Sequence, residues 1–238
     1  MIARWLQLAV VLALMAVVGT TTASAASLTL TSQALTPYRT CTITATPATT
    51  TAVVDATVRQ GSATLNFGTL TSTNVSSGSG INQRAFLRFD LSTCNPAIPT
   101  GAVVRLATLR VYLTAVPIAC RTIDVFTATA AWTEAGITWN NQPFGTAINN
   151  PPTASRSGSF TVGTPAGCQN QATGVYLVGG TVTSDVAAFV AGSTTNFGWM
   201  LRDDAEGSAT TRTVTFSSKE LATVGQAPQL VVTYVAVP

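Results

Sequence analysis

Along most of the chain, apolar and polar positions alternate in short segments, separated by Gly, Pro, Asn and Ser. Alternation with a period of two sends successive side chains to opposite faces, so each segment predicts a β-strand with one face to bury. The segments are residues 53–59, 84–91, 103–114, 122–128, 158–162, 174–182, 197–202, 212–217 and 229–235. In 84–91, Leu87, Phe89 and Leu91 share one face while Arg88 and Asp90 take the other. In 103–114, Ala107, Leu109, Val111 and Leu113 alternate with Thr108, Arg110 and Tyr112. A single short helix is expected over 184–191, capped by Ser184, with Val186, Phe189 and Val190 facing inward. About ten short strands without repeats or a charged linker predict one all-β domain, and a β-sandwich hides the apolar face of each sheet.

The two ends of this pattern differ. Arg4 is followed by an apolar run from Trp5 to Val18, broken only by Gln7, and then by Ala23-Ser24-Ala25. A positive end, an apolar middle and a small-residue cleavage site predict a secretory signal peptide at 1–25. The run falls short of the roughly 20 residues a membrane span needs. Residues 26–51 are rich in Thr and Ala, with alternating pieces at 27–32 and 41–46, and read as an extra edge strand or an arm. Residues 52–238 then form the sandwich domain. Residues 182–201 are interrupted by Asp185, Gly192 and Asn196, so no membrane span is expected in the mature protein. The expected location is secreted, extracellular or at the cell surface.

Export gives the four cysteines a meaning. Cys41, Cys94, Cys120 and Cys168 are even in number and bound for an oxidising compartment, which predicts two disulfides. If 84–91 and 103–114 are antiparallel neighbours, strand at about 3.3 Å per residue separates Cys94 from Cys120 by roughly 40 Å. That is beyond disulfide reach. The next two strands return Cys168 towards Cys120, so the expected pairs are Cys120–Cys168 and, by elimination, Cys41–Cys94.

Composition narrows the chemistry. Only 9% of residues are charged, none is histidine, Lys219 is the sole lysine, and the formal net charge is +3. Without histidine the commonest general base and metal ligand is missing, so an enzyme is not expected. The arginines are dispersed and form no basic stripe, so nucleic acid is not indicated as a partner.

Five blocks in order then carry a family resemblance. They are Arg84-Ala-Phe-Leu-Arg-Phe-Asp-Leu-Ser92, the pair Ile98-Pro-Thr-Gly-Ala-Val-Val and Ala107-Thr-Leu-Arg-Val-Tyr, Ala131-Trp-Thr-Glu-Ala-Gly-Ile-Thr-Trp-Asn-Asn-Gln-Pro143, Thr183-Ser-Asp-Val, and Pro228-Gln-Leu-Val-Val-Thr-Tyr234. Together they resemble the DNRLRE domain, related to the disaggregatase repeat and similar to carbohydrate-binding module family 96. The resemblance covers roughly residues 53–235. The hexapeptide that names the DNRLRE domain is absent, and the arm and the cysteines lie outside the common pattern. The resemblance implies a jelly-roll-like sandwich of exported surface proteins, in which some relatives bind polysaccharide.

Two sets of residues are candidate sites. Trp132 and Trp139 flank a loop, with Asn140, Asn141 and Gln142 beside them. Flat aromatic faces pack against sugar C–H groups while amides hold the hydroxyls. The alternative is that both tryptophans plug the core. Asp203, Asp204 and Glu206 form the one acidic cluster in sequence and are candidate calcium ligands through hard oxygens. The alternative is a solvated loop. A glycosidase pair is not expected there, because adjacent carboxylates diverge instead of facing each other across a cleft. Asp90 is expected to pair across strands with Arg88 or Arg110. The leading function is noncatalytic binding of cell-surface or matrix polysaccharide. The runner-up is a structural surface or fibre protein that self-associates when its Thr-alternating arm adds a strand to a neighbour.

Overall fold

The computed structural model describes residues 37–46, 50–221 and 225–236. The expected signal peptide and the alternating piece at 27–32 lie outside the described residues. Twelve strands and one helix follow in order: β1 (Tyr38–Thr44), β2 (Val53–Arg59), β3 (Ser72–Ser77), β4 (Gln83–Phe89), β5 (Val103–Arg110), β6 (Tyr112–Ala115), β7 (Arg121–Thr127), β8 (Gly158–Val162), β9 (Val175–Tyr176), α1 (Thr183–Val190), β10 (Trp199–Asp203), β11 (Arg212–Ser217) and β12 (Gln229–Val235).

β2, β4, β10, β7 and β8 lie side by side, antiparallel throughout, as one wall. Through the single pair Ser76–Gln83 the sheet passes from β4 to β3 and continues as β3-β11-β6-β9. A second sheet, β1-β12-β5, completes the opposite wall. The fold is a β-sandwich.

Neighbouring residues on the first wall go to different cores, which explains why its strands are buried on both faces. Leu87, Val125 and Leu201 join Leu109, Leu113, Phe216 and Val232 in the core between the walls. Their sequence neighbours Phe86, Phe126 and Met200 face the other way, where they meet Trp132, Ile137 and Trp139. Full burial of side chains this size stabilises by roughly 1.5–3 kcal/mol each. The chain between β7 and β8 is therefore a cap that gives the wall a second core.

Several expectations change. The single strand over 103–114 becomes β5 and β6, broken at Val111, because β12 covers its first half and β11 its second. Residues 174–182 hold only the two-residue β9 and then bridge Thr108 to Thr181 and Phe160 to Gly179. Gly179 and Gly180 turn this segment with φ of 118° and 64°, and a Cβ on Gly180 would run into the Phe160 ring. It closes one flank of the sandwich between β5 and β8. β3 carries no apolar alternation; Val75 is its only apolar residue, and Ser76 Oγ lies 2.7 Å from Thr213 Oγ1 across the ladder.

The helix forms one residue earlier than expected and buries Val186 and Phe189. Its N-cap is Val182 with no side-chain cap; Ser184 does not cap it. Asp90 accepts from Ser92 N and Oγ and pairs with neither arginine. Arg88 lies over Trp132 and Arg110 over Tyr176 instead.

Both disulfides, Cys41–Cys94 and Cys120–Cys168, are formed. The strand placement used to reach them does not hold. β4 sits between β2 and β10, and β5 sits beside β12, so the two are not neighbours. Cys41–Cys94 fastens β1 to the turn after β4.

Candidate functional site

The expected sugar platform lies inside the cap. Trp132 is 5% and Trp139 2% exposed, so neither ring offers a face to a ligand in this conformation. Trp132 stands edge-on to Phe86 at 5.5 Å and donates from Nε1 to Phe197 O at 2.8 Å. The Arg84 guanidinium covers Trp139 at 4.7 Å. Gln142 is buried, with its Nε2 donating to Trp139 O and its Oε1 accepting from Arg84. Asn141 is exposed but spends its Oδ1 on the Thr138 N–H at 2.7 Å. Only Asn140 presents an exposed side chain without such a bond. Both rings pack on the outer face of the wall, against Phe86, Phe126 and Met200.

The expected calcium set does not converge either. Asp203 and Asp204 both pair with Arg121. Glu206 turns away to grip Arg84 through both oxygens at 2.8 Å. The Asp203 bond raises the Arg121 guanidinium above its ordinary value. Burial pushes the Asp204 carboxyl up, against the pull of Arg121. These carboxylates neutralise arginines of the first wall.

Carboxylates from distant parts of the chain do meet. Oxygens of Asp55, Glu134 and Glu220 lie within 4.8 Å of one another. The cation among them belongs to the chain itself: Lys219 Nζ is 2.7 Å from Glu220 and 3.2 Å from Glu134.

A polar cleft of about 620 Å³ lies between β8 and the start of α1. One side is 155–159, with Ser155 and Arg156 exposed; the other is 179–185, with Thr181 and Ser184 exposed. Gly158 brings the two sides together, since a Cβ there would collide with Thr181 O. Arg156 Nη1 donates to buried Asp124 at 3.1 Å, which fixes the guanidinium at the rim. Asp185 Oδ2 accepts from Trp199 Nε1 at 2.7 Å. Hydroxyls both donate and accept, and those of Thr181 and Ser184 stand exposed here, so the cleft suits a ligand made of hydroxyl groups. Sequence reasoning missed it. Its sides are 20 or more residues apart, and runs of Ser, Thr and Gly read as loops.

With eight residues α1 is too short to span a bilayer, and no helix among the described residues is long and apolar enough to do so. No curated relative matches the chain. A family model described as carbohydrate-binding module family 96 matches residues 46–234. Because that match takes in nearly everything from β2 to β12, the chain belongs to carbohydrate-binding module family 96.

Proposed function

We propose that the protein is a secreted, noncatalytic module that binds cell-surface or extracellular-matrix polysaccharide in the β8–α1 cleft. The observation that carries the reading is the cleft itself: open, of saccharide size, and lined by serine and threonine side chains in a carbohydrate-binding family. The burial of Trp132 and Trp139 supports it, since polar contacts are what remain. Export rests on the N-terminal pattern at 1–25. The noncatalytic reading rests on the missing histidine and on Asp185 being the one carboxylate lining the cleft.

Ser184→Trp fills the mouth of the cleft from an exposed position. It is expected to weaken retention on the bound polysaccharide at least tenfold, about 1.4 kcal/mol, without lowering the melting temperature. Affinity electrophoresis against acidic and neutral polysaccharides measures it. Failure of the unaltered protein to bind any of them sinks the module reading; unchanged binding by Ser184→Trp sinks the cleft.

One observation favours a second reading, assembly into a surface or fibre structure. Among the described residues β1 has a single neighbour, β12, and its other edge carries Thr, Tyr and one arginine. An edge with so little charge is a template for another strand, and the alternating piece at 27–32 supplies one. Sedimentation with and without residues 26–36 tests this. Concentration-dependent assembly lost on deletion is expected; a monomer in both forms defeats the reading.

A further inference from the structure

β2 lies at the edge of its wall, and Asp55 at its centre is 1% exposed. Asp55 Oδ2 accepts the backbone N–H of Lys219 at 2.8 Å, and the Asp55 N–H donates to Glu134 Oε1 at 3.2 Å. Lys219 Nζ closes the ring to Glu134 and Glu220. Three separate pieces of chain are thereby tied together: β2, the cap through Glu134, and the turn after β11 through Lys219 and Glu220. Asn66 Nδ2 adds bonds to Glu134 O at 2.6 Å and Ile137 O at 2.8 Å, so the 134–137 turn is held from two sides. The balance of charge in the cluster is poor. Three carboxylates share one ammonium, and Lys219 is the only lysine in the chain.

We propose that this cluster is a pH-sensitive latch, which holds the 133–137 turn of the cap against β2 while Asp55 is neutral and releases it when Asp55 ionises. The groups facing Asp55 are Glu134 from the cap and Lys219 and Glu220 from the turn, while β4 places Leu87 opposite it in the ladder. Burial raises the Asp55 carboxyl well above its ordinary 3.8 and Glu220 raises it further; the Lys219 N–H bond opposes this, Glu134 adds to the rise, and the Lys219 charge opposes it. Burial works against the Lys219 ammonium, but its bonds to Glu220 and Glu134 prevail and hold it charged.

The sign follows from proton linkage. The closed latch keeps a proton that solvent-exposed Asp55 would release above about 3.8. Closure is therefore strongest in acid and weakens as pH rises through the raised value of Asp55. One proton per opening limits the change to about tenfold per pH unit. Opening would bare Trp132, which already borders a cleft of about 320 Å³ with Thr133, Gly136 and Ile137.

Hydrogen–deuterium exchange on the full protein, corrected for intrinsic rates, tests the latch from mildly acid to mildly alkaline pH. The amides to follow are Gly136 and Ile137, both bonded to Thr133 O, with Leu230 and Val232 in the core as reference. Protection of the cap amides is expected to fall by up to about tenfold per pH unit while the reference amides hold. Asp55→Asn keeps an acceptor for the Lys219 N–H and should flatten the profile; Glu134→Gln, which lightens the charge around Asp55, should move the fall to lower pH. Parallel profiles in the unaltered protein and Asp55→Asn overturn the proposal. So does loss of cap and core protection together, which is whole-domain unfolding.

Discussion

Replacing Arg84 by Met is expected to destabilise the fold by about 3–5 kcal/mol, a large share of the roughly 5–15 kcal/mol that holds a domain together. Arg84 is fully buried, and each of its five N–H groups has a partner. Nε and Nη2 grip Glu206, Nη1 donates to Gln142 Oε1 and Gly145 O, and Nη2 also donates to Ala147 O at 2.7 Å. Met fills much of the space but leaves Glu206 buried, its carboxylate keeping only the Asn149 N–H at 2.7 Å. An uncompensated buried charge costs more than the pair itself is worth, so the second substitution is informative. Arg84→Met with Glu206→Gln should recover part of the loss. It should not recover all of it, because three cap acceptors stay unpaired. Urea denaturation of the single and double variants reads this as a non-additive shift in midpoint. A shift below about 1 kcal/mol for Arg84→Met would show that the cap is held by its apolar contacts alone.

That dependence on one arginine marks where sequence reading stopped. β2, β8, β11 and β12 were legible to the residue, because each alternates cleanly and ends at Gly, Pro, Ser or a short turn. β3 was not, because serine and threonine line both of its faces and hydroxyl bonds replace apolar contact there. The break at Val111 was not, because the alternation runs straight through it; what changes is the partner strand, which no local pattern encodes. Arg84 itself read as the first residue of a strand. Its parity with Phe86 placed it on the face opposite Leu87, yet burial on that face depends on a cap some 60 residues away in sequence.

The acidic set is dispersed for the same physical reason. Asp203, Asp204 and Glu206 looked like a set because they are adjacent, and adjacency in a strand and turn sends side chains to different arginines. Asp55, Glu134 and Glu220 looked like nothing because 79 residues or more separate each from the next, and the sandwich brings them within 4.8 Å. The family blocks fared better. They cover β4, β5, the cap, the start of α1 and β12, elements that close the two cores, so the resemblance reported fold more directly than ligand.

The cap tryptophans separate those two kinds of information by experiment. Trp139→Ala is expected to cost about 3–5 kcal/mol of stability, as the loss of a fully buried indole does elsewhere. The ring packs among Phe86, Phe126 and Met200 on one side of the problem and under the Arg84 guanidinium on the other, so its removal opens a cavity and strips a cover from a buried charge. Affinity for polysaccharide, measured well below the lowered melting temperature, should stay within about twofold of the unaltered protein, under 0.5 kcal/mol. A stacking platform predicts the reverse pattern, because an exposed ring stabilises little in the free protein and carries much of the bound state. Paired melting and binding curves for Trp139→Ala therefore decide between a core plug and a sugar contact. Lost binding with an unchanged melt would return the site to the cap and remove it from the β8–α1 cleft.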